Sequence, residues 1–240
     1  LPGRRAQDHR MMRQLLLDIR PIAAPSLSNF VAGANRDLLA HLRGMTGDEP
    51  GASVYLWGDS GSGRTHLLRA LAAESKARGL YLEVDQINFT LPDTLIGALE
   101  ATHAKLWLFN DIHLLEPEAQ GALFRAINLA QARGITVVAA GNSAPRMLPL
   151  REDLRTRIGQ MLPFCIQPLH DDERIELLQA HAAARGMKVE QEVFDYLLRH
   201  GRRDIRSLLG ILDLLDEHSL TRQRPVTLPL LREVMQTRLI

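Results

Sequence analysis

The sequence predicts an α/β domain, in which helices cover both faces of a parallel sheet, followed by a small all-helical domain. An apolar run at residues 53–57 leads into a glycine-rich segment at 58–65, and a helix-like run at 66–77 follows directly. Strand and helix patterns then alternate as far as residue 168, which is typical of a parallel sheet covered on both faces. Four helix patterns follow with no strand pattern between them.

Turn and capping residues mark the ends of the elements in the α/β part. Asn35 is suited to cap a helix that continues to Arg43, because its side chain can accept a hydrogen bond from the first turn. Pro92 suits the first turn of a second helix, and Gly134 ends a third that begins near Glu116. The predicted strands are 53–57, 80–84, 105–109, 135–140 and 162–166, and the predicted helices are 35–43, 66–77, 92–102 and 116–133.

The last part of the chain reads as a helical bundle. Its predicted helices are 171–185, 190–199, 203–217 and 227–238. Asp171 or Asp172 can cap the first of them, and Gly186 and Gly201 separate consecutive helices. We therefore expect a flexible N-terminal tail at 1–25, an α/β domain at 26–168 and a helical domain at 169–240.

Composition excludes several classes of protein. The 29 basic and 28 acidic residues nearly balance, so the chain has no overall electrostatic footprint for nucleic acid. Its single cysteine, Cys165, excludes a disulfide within the chain and fits a reducing cytoplasm. No apolar run approaches the length of a membrane span. We expect a cytoplasmic protein without a membrane partner.

The segment at 58–65 reads Gly-Asp-Ser-Gly-Ser-Gly-Arg-Thr and has the context of a phosphate-binding loop. Gly58, Gly61 and Gly63 allow a tight turn that points N–H groups inward, and the following helix N-terminus favours a polyphosphate. Arg64 stands where the usual pattern has lysine, and it offers a broad planar fork instead of a compact charge. We expect the loop with Arg64 to bind nucleotide but to be a weaker catalyst than a loop with lysine. The alternative, a glycine-rich turn without a ligand, is disfavoured by the flanking strand and helix.

A phosphate loop on an α/β domain that precedes a helical bundle resembles the AAA+ superfamily. The strand 106–109 with Asn110 and Asp111 is similar to a Walker B segment, which implies a metal-facing position at Asn110 and a water-positioning role nearby. Asn110 is a neutral amide and a weak Mg²⁺ ligand. The family pattern also implies that Asn142 is the sensor 1 residue that faces the phosphates.

Two arginines complete the resemblance. Arg157, in a segment that resembles the arginine-finger motif, would reach a neighbouring subunit's nucleotide, and Arg206 matches sensor 2, the lid arginine that touches the phosphates. The implied ligands are ADP or ATP, with Mg²⁺ as a further candidate bound through Thr65 and Asn110. The implied nucleotide contacts are Gly58, Ser60, Gly61, Ser62, Gly63, Arg64, Thr65, His66, Asp111, Asn142 and Arg206.

Within the superfamily, the order and spacing of these segments most resemble the DnaA clade and its shorter Hda family. That family has an N-terminal peptide for the DNA polymerase III sliding clamp (the beta subunit), and the residues at 14–19 are similar to it. Gln14 would make hydrogen bonds at the edge of an apolar pocket, which Leu15, Leu17 and Ile19 would fill. The chain shows no helix-turn-helix domain after the lid, so we expect no sequence-specific DNA binding of its own.

The resemblance implies a negative regulator of chromosomal replication initiation. Bound to ADP and to the clamp, it would stimulate hydrolysis of DnaA-bound ATP through Arg157, while its own ATPase activity would be weak or absent. The alternatives are an AAA+ helicase loader, a DnaA-like core domain and an ATP-hydrolysing P-loop enzyme. The resemblance leaves a monomer and a homodimer both open.

Overall fold

The computed structural model describes residues 24–47, 51–201, 205–222 and 224–237. Its centre is a five-stranded sheet in which every neighbouring pair of strands is parallel, as predicted. The strands lie in the order β2-β3-β4-β1-β5. They are β1 (Val54–Trp57), β2 (Gly79–Leu82), β3 (Leu106–Phe109), β4 (Thr136–Gly141) and β5 (Leu162–Cys165).

Helices cover both faces of this sheet and build the C-terminal domain. In the α/β domain they are α1 (Arg36–Gly44), α2 (Arg64–Glu74), α3 (Val84–Asn88), α4 (Pro92–Ala101), α5 (Pro117–Ala132) and α6 (Glu152–Gly159). The C-terminal helices are α7 (Asp171–Ala184), α8 (Gln191–His200), α9 (Ile205–Arg222) and α10 (Leu228–Thr237). The predicted fold class, a parallel α/β sheet followed by a helical lid, is confirmed.

The strands carry apolar side chains on both faces, because each face has its own layer of helices. In β1, Tyr55 packs into the core beneath α3 to α6, whereas its neighbours Val54 and Leu56 pack beneath α1 and α2. All three side chains are fully buried. This double burial explains why the strands read as continuous apolar runs instead of alternating ones.

The strand order brings three loops of the predicted site to one edge. Strand β4 pairs with β1 on one side and with β3 on the other, so their carboxyl ends are neighbours. The loop 58–65 follows β1, Asn110 follows β3, and Asn142 follows β4. In an open parallel sheet this edge is where ligands bind.

The segment that precedes α1 contacts both the residues just after β5 and the first helix of the helical domain. The Asn35 side chain donates to the carbonyl of Gln167 at 3.0 Å and accepts from its N–H at 2.7 Å. The predicted cap at Asn35 is right in position but makes no capping hydrogen bond from its side chain, because that side chain holds Gln167 instead. Glu173, in the first turn of α7, packs against Gly33.

The helical domain has an apolar core of its own, formed by buried residues of α7 to α10. A polar network joins α7 to α9 beside it. Arg185 pairs with Asp213 at 3.0 Å and with Asp216 at 3.4 Å, and His181 contacts Asp213 at 2.7 Å. Both acids lie within the predicted helix 203–217, and α9 itself continues beyond that predicted end to Arg222.

Two other local predictions are wrong. The strand predicted at 80–84 ends at Leu82, because the Glu83 N–H donates to the Gln86 side chain at 2.8 Å and starts the short helix α3. Neither Asp171 nor Asp172 caps α7. Its N-cap is His170, whose N–H donates to Glu173 at 2.7 Å.

Among the described residues, no helix is both long enough and apolar enough to cross a membrane.

Candidate functional site

The loop 58–65 forms the cradle that its glycines predict. Gly61 and Gly63 have φ angles of +80° and +100°, in the left-handed region that favours glycine. Gly63 lies at the N-cap of α2, so the loop ends at the N-terminus of an 11-residue helix. The hydroxyl of Ser62 is buried without a hydrogen-bond partner in the described structure. A buried, unsatisfied hydroxyl in such a cradle points to a polar ligand.

The segment before α1 packs across the start of α2. The Phe30 ring lies against Gly63, where an added Cβ would come within 2.7 Å of it. The ring of His66 stacks at a tilt on Phe30, with 5.8 Å between centroids, and its Nε2 lies 3.0 Å from the carbonyl oxygen of Ser26. Phe30 therefore restricts the loop from outside, a contact that sequence reasoning missed.

We expect Gly63→Ala to destabilise the protein by about 1–3 kcal/mol, because a non-glycine residue at φ +100° is strained and its Cβ would contact Phe30. Gly97→Ala is the matched control, since Gly97 lies within α4 with open space around it. That change should stabilise the protein by roughly 0.5–1 kcal/mol. Chemical denaturation of both variants checks the prediction, and equal stabilities for the two would contradict it.

Arg64 is turned inward toward the ends of β3 and β4. Its Nη1 donates to the carbonyls of Gly58 at 2.6 Å and Gly141 at 2.7 Å. Its Nη2 forms an ion pair of 3.1 Å with Asp111, and the arginine side chain is only 11% exposed. Arg64 thus ties the phosphate loop to two strand ends, a geometry that the planar fork allows and a lysine ammonium does not.

Asn110 is the hub of a second network at the end of β3. It is buried, and its Nδ2 lies 3.2 Å from the Thr65 Oγ1, 3.1 Å from Glu83 and 3.1 Å from Asp111. Ionised carboxylates only accept hydrogen bonds, so the two neighbouring acids require the amide NH₂ to face them. The amide oxygen points away and is buried without a partner in the described structure.

Glu83 belongs to this network and was missed from the sequence. It follows β2, the strand beside β3, and accepts hydrogen bonds from Tyr81 and Arg69 in addition to Asn110. Burial alone would raise the pKa of Glu83, but the hydrogen bonds from Tyr81, Arg69 and Asn110 and the charge of Arg69 outweigh it and lower the pKa. The available signal was one acidic residue within the otherwise apolar strand predicted at 80–84.

The lowered pKa of Glu83 predicts a pH-dependent contribution to stability. Because the folded-state pKa lies below the unfolded value, this contribution is present above the unfolded pKa and is lost as the pH falls through the folded pKa. We expect Glu83→Gln to unfold at a lower temperature than the unmodified chain at pH 7, and the difference to shrink in the acid range. Thermal unfolding from pH 7 to pH 3 checks this, and a difference independent of pH would contradict it.

The end of β4 is held by a buried tyrosine. The hydroxyl of Tyr55 donates to the Ser143 carbonyl at 2.7 Å, and burial raises the pKa of this tyrosine above its usual range. The hydroxyl also fills the space in which a Cβ at Gly141 would lie. These contacts keep the backbone around Asn142 in place, while Asn142 itself is exposed at the edge of the sheet.

Arg157 lies elsewhere. Its Nη1 donates to the side-chain oxygens of Gln131 at 3.0 Å and Gln160 at 3.2 Å. Helix α5 runs from the end of β3 to the start of β4, so Gln131, near its C-terminus, lies toward the edge of the sheet opposite the phosphate loop. Beside Arg157 is a recess of about 470 Å³, which is lined by Phe124, Glu152, Asp153, Thr156, Arg157 and Gln160.

The structure therefore brings together most of the predicted nucleotide contacts and leaves Arg157 apart from them. Arg206 falls in the first turn of α9, but its side chain is outside the described part. The predicted clamp-binding residues Gln14, Leu15, Leu17 and Ile19 lie outside the described residues as well.

Residues 171–235, which contain helices α7 to α10 as far as Met235, match the family described as Hda, lid domain. Domain III of the replication initiation protein DnaA from Thermotoga maritima is similar in structure, with a TM-score of 0.77 and 18% sequence identity. That match covers 90% of this chain and 97% of the DnaA domain. The C-terminal region of the chain thus resembles the Hda lid domain, and the chain as a whole has the fold of these DnaA structures.

Two further structures place this chain in the same fold. AMPPCP-bound DnaA from Aquifex aeolicus matches with a TM-score of 0.67 and 21% identity, over 81% of this chain and 65% of that one. The RuvB Holliday junction branch migration motor of Thermotoga maritima matches with a TM-score of 0.70 and 18% identity, over 91% and 72% of the two chains. At these identities the likeness establishes the AAA+ fold.

Proposed function

We propose that this chain binds an adenine nucleotide, ADP in its working state, at the loop 58–65. The left-handed glycines, the unsatisfied Ser62 hydroxyl and the N-terminus of α2 fit a phosphate group. Two of the DnaA structures of the same fold are bound to AMPPCP. The phosphates would be held by the backbone of the loop, with Ser60, Ser62 and Thr65 nearby and Arg206 reaching in from the lid.

The local site argues against rapid hydrolysis by the chain itself. A Walker B acid would stand at position 110, where this chain has a buried amide. Asp111, the next acid, is paired with Arg64 at 3.1 Å. We therefore propose that nucleotide here acts mainly as a structural ligand that joins the α/β domain to the lid.

The chain would then contribute to catalysis through Arg157, at the nucleotide of a neighbouring subunit. Arg157 lies toward the edge of the sheet opposite its own phosphate loop, and its side chain donates hydrogen bonds to Gln131 and Gln160, which are neutral amides. Within the described part of the chain Arg157 has no ion pair, so its charge is available to an incoming anion. In trans, such a guanidinium stabilises the charge that develops during phosphoryl transfer.

Taken together, we propose a negative regulator of replication initiation that acts in the cytoplasm. Residues 14–19 would tether it to the sliding clamp of DNA polymerase III, and Arg157 would complete the active site of ATP-bound DnaA. The DnaA-bound ATP would be hydrolysed, which switches initiation off. The position of Arg157, far from its own phosphate loop, is the single observation that supports this role most strongly.

The direct test measures hydrolysis of DnaA-bound ATP in the presence of clamp loaded on DNA, with this chain added or omitted. We expect hydrolysis to accelerate only when the chain, ADP and the loaded clamp are all present. An ATPase activity of the chain alone, with no effect on DnaA, would favour the alternative of an independent P-loop enzyme.

The clamp tether carries its own prediction. Gln14→Ala should remove most of the chain from immobilised clamp in a pull-down, because the Gln14 amide would supply the hydrogen bonds at the edge of the clamp's pocket. Gln7→Ala, a glutamine outside the hexapeptide, is the matched control and should bind as the unmodified chain does. Equal capture of the two variants would contradict the assignment of residues 14–19 as the tether.

A further inference from the structure

We infer that this chain binds its nucleotide without a divalent cation, because its own side-chain donors take the place of the metal. The inference rests on the proposed nucleotide binding at the loop 58–65. It concerns which groups of that site supply the positive charge that a metal would otherwise supply. In P-loop NTPases the metal is held between a loop Ser or Thr and the Walker B acid. The corresponding positions here are Thr65 and Asn110.

These two residues are joined directly. The Nδ2 of Asn110 lies 3.2 Å from the Thr65 Oγ1, so the amide bridges the loop and the strand end as a metal would. The amide cannot rotate to offer its oxygen instead. Glu83 and Asp111 each lie 3.1 Å from the same nitrogen, and an oxygen placed there would face two carboxylates.

The acids that could serve a metal are already matched by cations and donors. Asp111 forms an ion pair with Arg64, whose side chain is 11% exposed. Glu83 forms an ion pair with Arg69 at 2.7 Å and accepts a hydrogen bond from Tyr81. Within the described residues, no group of three or more His, Cys, Asp or Glu side chains could hold a metal ion through protein ligands alone.

The electrostatics of the site point the same way. Mg²⁺ requires an octahedron of oxygens and usually takes one or two carboxylates with the phosphates. Here the guanidinium of Arg64 lies on Asp111, where it repels a second cation and competes for the same oxygens. Arg64, the loop N–H groups and the N-terminus of α2 supply positive potential to an anion without a metal.

The first experiment measures ADP binding to the full chain by calorimetry, once with millimolar MgCl₂ and once with EDTA. We expect the dissociation constants measured in the two buffers to agree within about twofold. This is well below the tenfold change that about 1.4 kcal/mol of binding free energy produces. If ADP bound in the MgCl₂ buffer but not in the EDTA buffer, the inference would be overturned and the proposed nucleotide binding would stand. Failure to bind in both buffers would overturn the two together.

A second experiment does not depend on nucleotide. Asn110→Asp places a third carboxylate beside Glu83 and Asp111 and removes the bridging amide, so the variant should gain a response to Mg²⁺. We expect MgCl₂ alone to raise the unfolding temperature of this variant and to leave that of the unmodified chain unchanged. The matched control is Asn128→Asp, a half-buried position on α5, which should not respond.

For ADP, the same variant should bind roughly tenfold more tightly in MgCl₂ than in EDTA. A saturable stabilisation of the unmodified chain by MgCl₂, equal to that of Asn110→Asp, would overturn the inference. If Asn110→Asp fails to fold in either buffer, the calorimetric comparison on the unmodified chain decides the question.

Discussion

Replacing Arg157 with alanine is expected to abolish the stimulation of DnaA-bound ATP hydrolysis. An arginine finger contributes roughly 10³–10⁵-fold to the rate of phosphoryl transfer, so the stimulated rate should fall to the basal rate of DnaA. Affinity for ADP should not change, because Arg157 contacts Gln131 and Gln160 and no residue of the phosphate loop. The measurement is single-turnover hydrolysis of DnaA-bound ATP with loaded clamp, together with ADP calorimetry on the variant.

Two further variants make this result specific. Arg146→Ala removes an exposed arginine of the same α/β domain, in the short 3₁₀ turn after β4, and should leave stimulation intact. Arg157→Lys keeps the charge without the bidentate fork and should restore only part of the rate. Loss of ADP binding in Arg157→Ala would mean that the arginine serves its own site and would refute the assignment in trans.

The second large effect is expected at Arg64. Arg64→Ala removes an ion pair with Asp111 and two hydrogen bonds to the carbonyls of Gly58 and Gly141. It leaves these acceptors without their donor in a largely buried place, which costs about 3 kcal/mol. We expect the unfolding temperature to fall by roughly 10 °C, on a scale of about 2–4 °C for each kcal/mol in a protein of this size.

Arg69→Ala is the matched control for Arg64, because Arg69 is on the same helix and also forms an ion pair. Its side chain is 54% exposed, and surface ion pairs contribute about 0–1 kcal/mol. Arg64→Lys should fall between Arg64→Ala and the unmodified chain, since one ammonium cannot reach both carbonyls and the carboxylate in the arginine geometry. An unchanged unfolding temperature for Arg64→Ala would show that these contacts do not hold the loop in solution.

Much of the fold could be predicted because its signals are local. The apolar run before Gly58, the glycines of the loop and Pro92 at the start of α4 each act within a few residues, and their positions agree with the structure. The errors also arose locally. Residue 84 has the β-branched character of a strand, but Glu83 and Gln86 form a cap that no strand pattern reveals.

The sequence could predict several residues of the candidate site but not the contacts between them. The loop, Asn110, Asp111 and Asn142 are found in the sequence as strand-end motifs. Their partners were not, because Glu83 and Tyr55 are ordinary strand-region residues until their neighbours are known. Fixing those neighbours requires the order β2-β3-β4-β1-β5, which places residues far apart in sequence side by side.

By itself the sequence determined that this protein has a glycine-rich loop between a strand and a helix, a parallel sheet and a C-terminal helical domain, since each depends on spacing and turn chemistry along the chain. Tertiary structure alone decided that Arg64 turns onto Asp111, that Asn110 bridges Thr65 and Glu83, and that Arg157 lies toward the opposite edge. The reason is physical. Hydrogen bonds and ion pairs act over about 3–4 Å, and the chain brings these groups within that distance only by folding.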